Sequence, residues 1–263
     1  MNYKRHWDKS VGLQKIYTKA DAGCQQLDIW GLRLTKGMKQ EFAADAEHEY
    51  ACTILGGTCN VSGGATFENI GKRKNVFDGK AYAFYIPRNT EFTVECVSED
   101  LQILVALCPT DKDFKPVLIT PDDIVVKFLG KPGFEREAHF LIDERMEAGR
   151  VYVGENFIVG GQWSSYPGHK HDTDNMPAEG FAEEIYYYEY DKETGFGIQR
   201  VYNDDKSIDE NYATYNGDFV EMPVGYHPCT VAPGYKGYLL WMMSCDNRGF
   251  YMSMDPDHVW LTK

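Results

Sequence analysis

The sequence predicts an all-β protein of two tandem jelly-roll-like barrels, and three observations predict it. Amphipathic helical periodicity is scarce along the 263 residues. Short runs rich in Val, Ile, Tyr and Phe recur instead, bounded by Gly, Pro, Asn and Asp, which is the pattern of closely spaced strands and tight turns. The aromatic share of 14%, led by 18 Tyr, suits the pleated, half-buried surface of a sheet.

The elements follow in order. Glu49-Tyr-Ala-Cys-Thr-Ile-Leu55 stops at Gly56-Gly57, and Ala81-Tyr-Ala-Phe-Tyr-Ile86 stops at Pro87. Phe92-Thr-Val-Glu-Cys-Val97 and Leu101-Gln-Ile-Leu-Val-Ala-Leu107 complete the first set. Gly130-Lys-Pro-Gly133 reads as a linker, and the charged stretch Glu135 to Gly149 as a short helix or an extended connection. The second set holds Tyr152-Val-Gly-Glu-Asn-Phe-Ile-Val159, Glu184-Ile-Tyr-Tyr-Tyr-Glu-Tyr190, Gly197-Ile-Gln-Arg-Val-Tyr202, Phe219-Val-Glu-Met222 and Lys236-Gly-Tyr-Leu-Leu-Trp-Met-Met243. The expected division is residues 1–130 and 131–263. A faint duplication supports it: each half carries a Glu-led strand and, later, a strand closed by a proline turn, Tyr85-Ile-Pro and Glu221-Met-Pro.

Composition narrows the function. A net charge of −13, with no block of five or six basic residues, argues against a nucleic-acid partner, which needs a basic stripe. No apolar run approaches the length that crosses a bilayer. The opening residues lack the apolar core of a secretory leader, and the seven Cys, at 24, 52, 59, 96, 108, 229 and 245, form no CxxC pair. The expectation is free thiols in a reducing cytoplasm.

Pro167-Gly-His169-Lys-His171-Asp172 carries the chemistry. On a strand, residues i and i+2 share a face, so both imidazoles would address one point. Glu184 opens the next strand, and His227 follows the Pro223-Val-Gly-Tyr turn. Three imidazoles and one carboxylate suit a divalent transition metal and leave room for substrate. A lone HxH beside Asp172 also fits a solvated loop; the later Glu and His are what favour metal. His6, His48, His139 and His258 read as surface or hydrogen-bonded core residues. With only His48, in Ala46-Glu-His-Glu49, the first half resembles the second without a complete metal site.

HxH, then Glu, then a later His after Gly217-Asp-Phe-Val-Glu-Met-Pro223-Val-Gly225 resembles the paired motifs of the cupin metal site. More narrowly, Trp163-Ser-Ser-Tyr-Pro-Gly-His-Lys-His-Asp172, Glu183-Glu-Ile-Tyr-Tyr-Tyr188, Gly195-Phe-Gly-Ile-Gln-Arg-Val-Tyr202, Gly225-Tyr-His-Pro228 and Asp255-Pro-Asp-His-Val-Trp260 resemble the 5-deoxy-glucuronate isomerase family of bacterial inositol catabolism. Gln162 and Gly168 depart from that family's usual Asn and Pro, and Thr173 to Gly180 is a polar insertion that would sit over the site mouth. The resemblance implies a bicupin that interconverts 5-deoxy-glucuronate and 2-deoxy-5-keto-gluconate through an enediol. It implies one divalent ion per chain, zinc or manganese first and iron or nickel next, held by His169, His171, Glu184 and His227.

An aldose–ketose isomerisation needs an electrophile at the carbonyl and a group that moves one proton between adjacent carbons. Glu184, Tyr186 and Arg200 are the candidate catalytic residues, since Tyr186 and Tyr188 share the face of Glu184; the base itself is not fixed by sequence. Arg200, then Arg248, would clamp the substrate carboxylate, with Tyr188 a further substrate contact. Lys170 should face away. The alternatives are a related 5-keto-4-deoxyuronate isomerase, a sugar-binding cupin without turnover, and an iron dioxygenase. The partner expected is a small sugar acid, and edge strands favour a homo-oligomer.

Overall fold

The computed structural model describes residues 2–263, and it is built of strands, with one short 3₁₀ turn at Val259–Thr262. Two large antiparallel sheets dominate. The first half supplies one in the order Val117–Ile119, Tyr82–Ile86, His48–Gly56, Asp100–Pro109, Asp28–Thr35 and Gly12–Tyr17. The other runs Lys4–His6, Asp218–Met222, Ala182–Tyr190, Lys236–Cys245, Val151–Val159, Arg136–Ile142 and Val125–Leu129. Each is faced by a four-stranded sheet from its own half, which encloses one apolar interior per half.

The two large sheets also pack on each other, which explains the unbroken apolar runs in the sequence. Side chains alternate across a strand. In Lys236–Cys245, Leu239, Trp241 and Met243 fill the second half's interior, while Tyr238, Leu240 and Met242 fill the seam between halves. Ala182–Tyr190 divides in the same way: Tyr186 and Tyr188 point inward, and Ile185 and Tyr187 point into the seam. A strand buried on both faces has no need of polar alternation.

The division of the chain differs from the sequence expectation in two respects. Val125–Leu129 pairs with Arg136–Ile142, so Gly130–Gly133 closes a hairpin inside the second sheet, and the chain changes sheets between 120 and 124. The segment expected as a helix or connection contains that strand Arg136–Ile142. The opening strand Lys4–His6 also belongs to the second half's sheet, as the edge partner of Asp218–Met222. Trp7, directly after it, is buried against Gly31, where a Cβ would lie 2.5 Å from the indole.

Buried carboxylates hold the seam. Glu49 accepts backbone N–H groups from Gly149, Arg150 and Val151 at 2.7, 2.6 and 2.9 Å, and the Tyr85 hydroxyl at 2.7 Å. In the reverse sense, Glu183 accepts from Gln25 and Gln26 and Glu221 from Gly23 and Cys24. Arg73 pairs with Glu155 at 2.6 Å, and Tyr238 donates to the same oxygen at 2.7 Å. A buried carboxylate persists only when it is paired: Glu49, Glu183 and Glu221 accept backbone N–H groups, and Glu155 is held through one oxygen by Arg73 and Tyr238.

Glu49→Ala would leave three N–H groups and a phenol without their acceptor in a dry seam. The expected loss is about 3–5 kcal/mol of unfolding free energy, read from urea denaturation. A loss under about 1 kcal/mol, the level of an exposed ion pair, would show that the seam does not depend on this carboxylate.

Candidate metal centre

Three separated stretches of the second half converge on one point. His169–Lys170 forms a two-residue ladder with Ser253–Met254, and the Gly168 carbonyl accepts the Asp255 N–H at 2.8 Å. The His171 backbone then joins Ala182, whose N–H donates to the His171 carbonyl at 2.8 Å. Glu184 follows two residues later on the same strand. His227 lies just past a turn at Gly225, which has φ +83° and where a Cβ would sit 2.4 Å from the Tyr202 carbonyl oxygen, so only glycine fits. The Gly225 N–H donates to Asp172 Oδ2 at 2.7 Å, tying the HxH segment to the His227 turn.

Backbone carbonyls fix the imidazoles. His171 Nδ1 donates to the Ala182 carbonyl at 2.7 Å, and His227 Nδ1 donates to the Gly225 carbonyl at 2.9 Å. Each Nε2 is thereby left as a lone-pair donor. His171 Nε2 and His227 Nε2 lie 3.0 and 3.1 Å from Glu184 Oε2. His227 Nε2 nevertheless has no hydrogen bond of sound geometry, although it is buried. The His227 carbonyl accepts Gln199 Nε2 at 2.7 Å, and Gln199 in turn accepts the Tyr188 hydroxyl.

The donor atoms of His169, His171, Glu184 and His227 all lie within 4.8 Å of one another, and all four residues are buried. Ligands about 2.1 Å from a shared ion fall within such a spread, and an orphaned imidazole nitrogen facing a carboxylate is what a metal would satisfy. The residues fit one divalent ion. Burial alone would raise the Glu184 carboxyl; the close His171 and His227 rings overcome it and hold the group at about 2. Burial and the two neighbouring imidazoles push His169 well below the usual histidine range.

A cavity of about 290 Å³ opens beside His169 and Glu184. Tyr186 and Ser165 line it, with their hydroxyls 2.8 Å apart, and Phe140, Trp241 and Met254 give it apolar walls. Ser165 adopts φ +52°, a left-handed conformation that costs a non-glycine residue of the order of 1 kcal/mol and tends to occur at functional sites. A larger groove of about 790 Å³ runs between the halves and shares only Leu129 and Arg136 with this cavity.

The structure corrects several sequence expectations. Arg200 lies on the outer face of its strand, doubly hydrogen-bonded to Asp209 at 2.7 and 2.8 Å, while its inward neighbour Gln199 faces the site. Arg248 is spent on the carbonyls of Val151, Met146 and Asp143, where it clasps a loop. Tyr188 is inward but engaged by Gln199, so it supports His227 instead of lining the cavity. The Thr173–Gly180 insertion folds under Glu179, which accepts the N–H groups of Asp172 and Thr173, and the cavity is edged by Phe250, Met252 and Met254.

Lys170 faces away, to Asp172 and Glu179 at 2.7 and 3.2 Å. His48 is engaged by Asp45 at 2.9 Å, and the first half's interior is filled by rings such as Phe42 stacked on Phe92 at 4.4 Å. Sequence reasoning missed Ser165 and Arg136. Alternation along Arg136-Glu-Ala-His-Phe140 would have turned Arg136, Ala138 and Phe140 to one face, had the segment been taken as a strand.

Known proteins bear on this site. The KduI/IolB family profile matches residues 4–261. A protein of Geobacillus thermodenitrificans named 5-deoxy-glucuronate isomerase is 38% identical over 247 residues, 93% of this chain and 89% of that one. One of the same name from Bacillus subtilis is 40% identical over 199 residues, 75% and 73% of the two chains. The crystal structure of an IolB-like protein from Salmonella typhimurium superposes with a TM-score of 0.95 at 30% identity over 100% of both chains. Bacillus subtilis oxalate decarboxylase, studied for its Mn(II) centres, shares the cupin fold alone, at TM-score 0.65 and 13% identity over 96% of this chain and 79% of that one. With a profile match over nearly its whole length and relatives of this identity, the chain belongs to the KduI/IolB family.

Proposed function

We propose that the protein is a metal-dependent aldose–ketose isomerase that converts 5-deoxy-glucuronate to 2-deoxy-5-keto-gluconate in myo-inositol catabolism. The observation that carries this reading is the buried cluster of three imidazoles and Glu184 opening onto a cavity of about 290 Å³, the size of a small sugar acid. Relatives that share 38% and 40% identity bear the name of this activity. The donor set favours zinc or manganese, since imidazole suits the first and a carboxylate tolerates the second.

When bound at His169, His171, Glu184 and His227, a divalent ion supplies Lewis-acid stabilisation of the negative charge that develops on the substrate's carbonyl oxygen. The chain's own groups do the rest. Glu184 is held ionised by its histidine partners, and among the described residues it is the one carboxylate on the cavity wall. Burial, then the charge of Glu184, drives the Tyr186 phenol well above its usual range, so it remains a donor at neutral pH. Its hydroxyl and that of Ser165 form a pair that hands a proton on without creating charge. The Phe140, Trp241 and Met254 walls limit water around the enediol, which strengthens each of these contacts.

An NMR time course of the purified protein with 5-deoxy-glucuronate, with and without chelator, tests the reading. A product of unchanged mass should form anaerobically and cease to form on chelation. Oxygen consumption in step with turnover would replace the isomerase by a dioxygenase. His227→Ala should abolish both bound metal and turnover, whereas His48→Ala should leave both intact; equal loss from the two would move the site to the other half. Gly225→Ala, which pushes a methyl group against the Tyr202 carbonyl and displaces His227, should weaken metal binding about 10- to 100-fold. Elemental analysis after graded dialysis measures it, and undiminished metal would refute the role given to this turn.

A further inference from the structure

The cavity beside the metal cluster carries a charge pattern opposite to that of the chain. The protein has a net charge of −13, yet the lining contains two cations, Lys127 and Arg136, against one carboxylate, Glu184, which the histidines already hold. Arg136 begins the inward face of Arg136–Ile142, with Ala138 and Phe140 next along that face. Its Nε is buried without a hydrogen-bond partner, and among the described residues no carboxylate pairs with it. Tyr186 and His169 line the same cavity as Arg136.

The fold gains nothing visible from this arrangement. Burial pushes the guanidinium below the usual arginine range, opposed only by the nearby Tyr186 phenol and Cys229 thiol. Burying a cation without a carboxylate partner carries a desolvation cost. Three other arginines have their partners within the fold: Arg73 is paired with Glu155, Arg200 with Asp209, and Arg248 with three carbonyls. Arg136 instead faces the cavity with a donor unspent. Lys127, paired with Ala138 across the hairpin, rests over the Phe140 ring at 4.6 Å and adds a second positive charge to the cavity lining.

We propose that Arg136, supported by Lys127, is an anion subsite that receives the carboxylate of a sugar acid while the sugar's other end meets the His169, His171, Glu184 and His227 cluster. The planar guanidinium donates two parallel hydrogen bonds to a carboxylate, which orients the ligand as well as binding it. The cavity lining thus joins the two cations with the metal donors and the Tyr186–Ser165 pair. A carboxylate held at Arg136 orients the rest of a sugar acid toward that cluster. A neutral sugar of the same size loses the charged contact and the orientation with it.

This deepens the isomerase reading and rests on it for the substrate's identity, so the test separates the two. Gluconate and glucitol, its uncharged relative, are titrated calorimetrically into metal-loaded wild type, Arg136→Met and Arg136→Lys. Wild type should prefer gluconate. Arg136→Met should lose about 10- to 100-fold in gluconate affinity, as expected for a charge-assisted pair, while its glucitol affinity and metal content stay unchanged. Arg136→Lys, which keeps the charge and loses the fork, should fall between, and it carries the comparison if Arg136→Met fails to retain metal. Equal gluconate affinity in wild type and variant, or an equal loss for glucitol, overturns the subsite. Turnover of 5-deoxy-glucuronate by wild type reports separately: its absence, with gluconate discrimination intact, removes the reaction and leaves the anion subsite standing.

Discussion

The site depends on two backbone carbonyls, those of Ala182 and Gly225. By accepting the Nδ1 protons of His171 and His227 they decide which nitrogen of each ring is a lone-pair donor and where it points. Side-chain orienters would bring their own rotamer freedom; a carbonyl inside a sheet or a glycine turn brings almost none. The same two places are locked further, Ala182 by the reciprocal bond to His171 and Gly225 by its donation to Asp172. The donor geometry is therefore a property of backbone pairing, set before any ion arrives.

Adjacent glutamates on one strand show how the fold and the site share the same residues. Glu183 faces the seam and accepts two N–H groups from the first half, while Glu184 faces the interior and meets the histidines. Their separation is a consequence of the two-residue repeat of the strand. The first half thus supports the site from behind, since its loop at 23–26 binds Glu183 on the strand that carries Glu184 and Glu221 on the strand beside it. Four of the chain's acids are used in this way: Glu49, Glu155, Glu183 and Glu221 are all buried.

The candidate metal cluster was legible in the sequence because its spacing has a direct geometric meaning: the HxH, the Glu and the His after a proline–glycine turn do come together. Only His169 of the HxH lies on a strand, and Glu184 is the third residue of its own. Substrate contacts were less legible. Arg200 and Arg248 were reasonable by charge, but charge says nothing about prior partners, and Asp209 and three carbonyls had already claimed them. Arg136 was hidden because Glu135 to Gly149 looks charged and irregular; its strand is seen only once Val125–Leu129 is available to pair with it. The sheet change at 120–124 was hidden for the same reason, since a glycine–proline turn reads alike as a linker and as a hairpin tip.

The opening strand Lys4–His6 closes the edge of the second half's sheet, beside Asp218–Met222. The two halves are consequently interlaced and are not beads on a string. Excising residues 131–263 as a module would strip Asp218–Met222 of its neighbour and bare a row of amide groups next to the strand that bears Glu184. Circular permutation or fusion designs that treat the halves as interchangeable cassettes would have to carry those few N-terminal residues with the downstream portion.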